Sequence, residues 1–319
     1  MIEYHSRRTF LKTVSAASLA GLFPASGFSQ DLAGTIIKRA IPGTGEMMPM
    51  VGFGSSAAVM EILNNGPAQL TGLLAVMVKL GASVIDTAPR EPAIDEAFGK
   101  LVADARFKDK LFVNTKIGRN RAMNLRSLDK QAGIDQIRQI EQQFNRRPTD
   151  LLQIDSLLDI EIHWPTLRDA KANGEARYIG ATTSDTDGHE PMEAFMKRDK
   201  PDFVQVNFSL LEPDAEQRIL PLAQDLGIGV MINKPFGGGD FFKRVSGLTL
   251  PDWAAEIDCT SWAQFNLKYI LGHPAINCVL TETTKTKNLE ENLLSATGRL
   301  PDEAMRKKMK AHFDSVATA

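Results

Sequence analysis

Apolar positions along this chain recur with two different spacings, and the two alternate. Residues 51–55, 83–86, 111–116, 151–155, 178–181, 203–207, 229–233 and 277–280 are short runs of strand character. Between them, residues 68–80, 93–105, 125–144, 166–176, 192–197, 215–226, 261–271 and 289–296 place apolar side chains at helical spacing. Eight strands, each followed by a helix, over about 250 residues predict a closed parallel barrel of the (β/α)8 type rather than an open doubly wound sheet. No G-x-G-x-x-G opens a helix after the first strand, which points the same way. Residues 35–50 read as two short strands about Pro42-Gly43-Thr44-Gly45, a β-hairpin ahead of the barrel. Residues 301–317 read as one extra C-terminal helix with Pro301 in its first turn. The Gly-rich stretch 236–251 follows the seventh strand and reads as a flap.

The stretch 83–100 shows how one unit is built. Ser83-Val84-Ile85-Asp86 ends as a strand at an acidic residue, a loop carries Arg90 and Glu91, and a helix begins near Pro92. In a parallel barrel, sites form at the C-terminal ends of the strands. Those ends read Asp86, Lys116, Asp155, Thr182-Thr183, Gln205 with Asn207, and Asn233-Lys234. Three ionisable residues on neighbouring strands, each led into by apolar residues, point to a site rather than to solvated charge. Thr283-Thr284-Lys285-Thr286 before the last helix suits either a phosphate or an ordinary threonine cap.

Composition narrows the class. Of 319 residues, 43% are hydrophobic and 24% charged, ordinary for a globular protein with a real core. The net charge of −2 gives no nucleic-acid footprint. Two cysteines, Cys259 and Cys278, exclude a disulfide framework, and Cys278 in its apolar run reads as a buried thiol. None of the five histidines has a neighbour at metal-ligand spacing; His163, just after the fourth strand, is the one placed to reach the barrel mouth. Ser6-Arg7-Arg8-Thr9-Phe10-Leu11-Lys12, followed by the apolar residues 14–23, is a twin-arginine export motif with its hydrophobic region. Residues 1–30 are therefore expected to be a signal peptide, and 31–319 a barrel exported folded to the periplasm by the twin-arginine machinery. No later apolar run reaches about 18 residues, so stable membrane insertion of the mature chain is not expected.

These residues resemble the aldo/keto reductases. The resemblance runs through Val51-Gly52-Phe53-Gly54, Val84-Ile85-Asp86-Thr87-Ala88, Val113-Asn114-Thr115-Lys116, Thr149-Asp150-Leu151-Leu152-Gln153-Ile154 and Gly174–Gly180. It continues through Val204-Gln205-Val206-Asn207, Asn233-Lys234-Pro235-Phe236 and Leu289-Glu290-Glu291-Asn292. It implies an oxidoreductase that reduces a small-molecule carbonyl with NADP or NAD as cofactor. Asp86 and Lys116 match two of the family's four catalytic positions. The tyrosine position holds Glu91 and the histidine position holds Asp155, so Glu91 or Asp155 is expected to exchange the proton. The implied cofactor residues are Thr182, Thr183, Gln205, Asn233, Lys234, Pro235, Phe236, Thr283, Thr284, Lys285, Asn288, Glu291 and Asn292. Glu282 and Asn288 stand where NADPH-specific members carry basic residues, which disfavours a 2′-phosphate.

Four charged groups that sum to −2 are poor ground for a nascent alkoxide, so a second expectation stands beside the first. The barrel mouth serves a non-redox role, either as a hydrolase or lyase using Glu91 and Asp155 as a carboxylate pair, or as a catalytically silent periplasmic binding protein.

Overall fold

The computed structural model describes residues 35–120, 125, 126 and 129–317; the expected signal peptide, residues 1–30, lies outside them. Strands β1 (Lys38–Ala40) and β2 (Met47–Pro49) form the antiparallel hairpin. The chain then enters β3 (Val51–Gly54), β4 (Val84–Asp86) and β5 (Phe112–Ile117). A small antiparallel pair, β6 (Arg119–Asn120) with β7 (Leu125–Arg126), interrupts the series. It resumes with β8 (Thr149–Ile154), β9 (Ala176–Thr182), β10 (Phe203–Asn207), β11 (Gly229–Asn233) and β12 (Ile276–Glu282). Strands β3, β4, β5, β8, β9, β10, β11 and β12 pair in parallel and close as β12 meets β3. The fold is the expected (β/α)8 barrel, with the hairpin before it and a final helix, Glu303–Val316, after it.

Period-2 alternation fixes which strand residues face inward. Val84, Phe112, Leu151, Tyr178, Phe203, Met231, Cys278 and Leu280 pack together as the interior, and Ile41 and Met48 of the hairpin region complete that cluster. Leu280 aside, apolar filling thus occupies the N-terminal half of the barrel. Polar residues of the same parity are left to the C-terminal end. The outer faces of the strands and the inner faces of the helices form a second, larger core.

Several helices differ from their expected bounds, two of them by five residues or more at one end. The helix expected over 166–176 spans Ile160–Ala172 and carries Pro165 inside. A proline there removes one helical hydrogen bond and disfavours the preceding turn by about 3 kcal/mol. Burial of His163 and Trp164, the latter edge-on to Phe195 at 4.8 Å, offsets that cost. The helix expected over 125–144 spans Lys130–Phe144, its N-terminus capped by Asp129, whose carboxylate accepts from the Ala132 N–H. Leu125 and Arg126 belong instead to β7. The stretch read as a flap contains a helical segment, Asp240–Arg244, with Phe241 buried. Among the described residues no helix is long and apolar enough to cross a membrane.

Candidate active site

The parallel register brings Gly54, Asp86 and Asn114 to one level on β3, β4 and β5, and Thr182 and Gln205 to one level on β9 and β10. Lys116 follows Asn114 by two residues and so shares its inward face, one step nearer the barrel mouth. These side chains meet a cavity of about 480 Å³ whose wall includes Asp86, Lys116, Asp155, Thr182, Gln205 and Asn233. The Lys116 ammonium donates to Asp86 Oδ1 and, at 2.8 Å, to the Thr87 carbonyl. Asn114 Nδ2 donates to the same Asp86 oxygen at 2.6 Å and to Gln205 Oε1 at 3.0 Å. The charged pair is nearly dry, with Lys116 7% and Asp86 16% exposed at the side chain. Its two ends are therefore mutually dependent, because removing one leaves the other charged in a poorly solvated place.

A strained turn follows Asp155. Just after β8, Ser156, Leu157 and Asp159 take left-handed backbone with φ of 56°, 56° and 52°. Each such non-glycine residue costs about 1 kcal/mol or more. The turn is held by the Ser156 N–H donating to Thr182 Oγ1 at 2.9 Å and the Leu158 N–H donating to the Asp155 carbonyl at 3.1 Å. Ser156 Oγ donates to Asp155 Oδ1 at 2.9 Å. The carboxylate is thereby set into the cavity wall while 1% of the residue is exposed.

Glu91 stands elsewhere. It is exposed, at the N-cap of helix Pro92–Val102, and does not line the cavity. Arg90 is the loop residue that turns inward: its Nη1 donates to Thr87 Oγ1 and to the Ala88 carbonyl, both at 2.8 Å. Its backbone N–H donates to Asp95 Oδ2 at 2.9 Å. Burial raises the Asp95 carboxyl above its usual range, and the Arg90 N–H and charge offset this in part. His163 also misses the mouth. It is fully buried, and a Cβ at Gly133 of the neighbouring helix would lie 2.7 Å from its Nδ1. Among the described residues no group of His, Cys, Asp and Glu side chains could hold a metal ion.

A second cavity of about 390 Å³ shares Phe236, Phe242 and Glu282 with the first. The rings of Phe236 and Phe242 stand 4.8 Å apart at the join, and Glu282 Oε1 accepts from the Ala57 N–H at 2.5 Å. Beyond the join the wall includes Trp262, Thr283, Asn288, Glu291 and Asn292. Of the cofactor residues expected from the sequence, Thr182, Gln205, Asn233, Lys234, Pro235 and Phe236 lie on the first cavity. Thr283, Asn288, Glu291 and Asn292 lie on the second. Thr183, Thr284 and Lys285 line neither. Thr183 is buried, with its N–H donating to the Gln205 carbonyl at 2.8 Å. Lys285 caps helix Thr286–Leu294 through its backbone, and Thr283 Oγ1 accepts from the Lys285 N–H at 3.1 Å rather than capping the helix.

Three features of the site escape the sequence reading. Phe242 is 45% exposed, and nothing in the Gly-rich stretch marks it as a wall. Ser184 falls in a loop without period. Asn114 did leave a signal, since it has the parity of Lys116 on β5.

Comparison with known proteins agrees with this geometry. A profile of the aldo/keto reductase family matches residues 51–312. A protein of Glycine max named "Probable aldo-keto reductase 1" is 24% identical over 191 residues, covering 50% of this chain and 53% of its own. The chain thus spans about half the length of that curated relative. The holo form of aldo-keto reductase AKR11C1 from Bacillus halodurans superposes with a TM-score of 0.69 at 17% identity, covering 89% of this chain and 97% of that one. Its apo form gives a TM-score of 0.63 at 16% identity with the same coverage. The match over the barrel from β3 to the final helix places this chain in the aldo/keto reductase family.

Proposed function

We propose that the chain reduces a carbonyl group on a small molecule with a nicotinamide dinucleotide as co-substrate. The observation that carries this reading is the Asp86–Lys116 pair on the wall of a cavity that continues, past Phe236 and Phe242, into a second aromatic-walled one. The residues fit such a group: an elongated two-lobed site, with the amides of Gln205 and Asn233 in one lobe and Trp262, Glu291 and Asn292 in the other. When bound, the dinucleotide supplies a hydride to the carbonyl carbon. Lys116 commits two of its three N–H bonds to Asp86 and the Thr87 carbonyl. The third is available to the substrate oxygen, where it stabilises charge as it develops. Asp155, on the same wall, is placed to exchange the proton that completes the alcohol. Glu91, exposed and off the cavity wall, is left out of that role. The same placement removes support from a Glu91–Asp155 carboxylate pair.

The charge of the second cavity selects among dinucleotides. Its wall carries Glu282 and Glu291 and, among the described residues, neither lysine nor arginine. A phosphate monoester of about −1.5 to −2 charge is disfavoured there, so NADH is preferred to NADPH. The leader belongs to the same proposal: residues 1–30 direct folded export to the periplasm, and Arg7→Lys with Arg8→Lys should strand the chain in the cytoplasm on fractionation.

A screen of aldehydes and ketones, read as loss of dihydronicotinamide absorbance, tests the activity. Lys116→Met should lower kcat/KM by roughly 10²-fold or more. Turnover by that variant at the wild-type rate would sink the reading, as would failure to turn over any carbonyl by wild type that binds NADH.

A further inference from the structure

We infer that Asn114 is a positioning residue that fixes which end of the Gln205 amide faces the cavity, and so makes the β10 wall a hydrogen-bond donor. For the identity of the group that Gln205 meets, the inference rests on the function proposed above. Asn114 is fully buried on the inward face of β5. Its Nδ2 donates to Asp86 Oδ1 at 2.6 Å and to Gln205 Oε1 at 3.0 Å. A primary amide nitrogen has two protons, and the two oxygens take them, with Met231 Sδ at 3.5 Å a weaker third acceptor. The reversed amide would set an oxygen against a carboxylate and a second amide oxygen, exchanging two bonds for two repulsions. The orientation of Asn114 is therefore dictated by Asp86, the charged partner.

The consequence passes to Gln205. With its Oε1 tied to Asn114, the end of the side chain left to the cavity is Nε2, which can only donate. A wall of this polarity recognises an acceptor. On a nicotinamide ring the acceptor is the carboxamide oxygen, not the carboxamide nitrogen. One buried asparagine thus couples the ion pair that handles the substrate to the amide that orients the co-substrate. The Asn114 Oδ1 has no hydrogen-bond partner among the described residues. Packing alone would place an apolar side chain at this position, so the asparagine is explained by what its nitrogen holds.

Two measurements test this. The first uses the nucleotide-free protein with 15N-labelled asparagine. Both Asn114 side-chain protons should be protected from exchange, one shifting in Asp86→Asn and the other in Gln205→Met. Rapid exchange of both, or both substitutions moving the same proton, overturns the inference. The second titrates NADH against its 3-acetylpyridine analogue, which keeps the carbonyl oxygen and replaces the NH2 by methyl. Wild type should bind the two within about threefold. Asn114→Asp turns Gln205 over, so its oxygen meets the ring amide, and should favour NADH over the analogue by about tenfold. Asn114→Leu, should the acidic variant fold poorly, should fall between. A wild type that rejects the analogue by tenfold or more overturns the inference. Absence of binding by either dinucleotide, with the two-proton pattern intact, removes the proposed function and leaves the hold of Asn114 on Asp86 and Gln205 standing.

Discussion

The dependence of Asp86 and Lys116 on each other can be measured as a coupling energy. In Lys116→Met the carboxylate of Asp86, 16% exposed, loses its cation and keeps the Asn114 donor. Breaking a buried pair from one side costs roughly 3–5 kcal/mol, and the remaining charge-assisted bond holds the loss near the lower end, about 3 kcal/mol. Asp86→Asn leaves the ammonium with the Thr87 carbonyl at 2.8 Å, at a cost of about 2 kcal/mol. The double variant has no unmatched charge, so its cost should be about 2 kcal/mol rather than the sum of about 5, a coupling of about 3 kcal/mol. Urea unfolding of the four proteins gives the cycle directly. The double variant should be more stable than Lys116→Met alone. Additivity within about 0.5 kcal/mol would show that the two groups do not sense each other and would refute the account of the site.

Other outcomes follow from groups away from the mouth. Burial lowers the His273 imidazole from 6.5 to about 4. The unfolded chain then binds more protons in that window, so stability is full above pH 6.5 and falls as pH drops toward 4. Urea unfolding should show wild type losing about 2 kcal/mol in that window and His273→Asn losing markedly less. Cys259 is pushed up to about 12 by burial, and Cys278 is raised for the same reason. Neither should react with a thiol reagent until the chain is unfolded, and rapid labelling of the native protein would contradict their placement. A Cβ at Gly99 would lie 2.1 Å from the Gln143 carbonyl, where helix Pro92–Val102 meets helix Lys130–Phe144. Gly99→Ala should therefore cost at least about 1–3 kcal/mol in unfolding experiments, and a neutral effect would show that the helices are not so close.

The barrel was legible because each strand carries a short apolar run and each helix a 3.6-residue repeat, and these signals are local. Helix limits were less so. Pro165 reads as a boundary, yet Trp164 and His163 pull the preceding turn into the helix by packing against partners remote in sequence. In the site, Asp86, Lys116 and Gln205 could be placed because strand parity and register do it for them. Glu91 could not. A loop has no period, and here Arg90 is the neighbour that turns inward to Thr87 and Ala88. Asp155 lies on the cavity wall directly after its strand; the turn that follows, where Ser156 and Leu157 take left-handed backbone uncommon for those residue types, leaves no mark in the sequence.

The central claim is that the two joined cavities hold a nicotinamide dinucleotide and that Glu282 and Glu291 set its charge. The direct test is a fluorescence titration of NADH and NADPH with the chain lacking residues 1–30, repeated with Glu282→Lys. The account predicts NADH binding in the micromolar range, NADPH weaker by about tenfold, and that ratio shrinking or reversing in the variant. A folded protein that binds neither dinucleotide would contradict the claim. Tighter NADPH binding by wild type would contradict the charge argument while leaving the site in place.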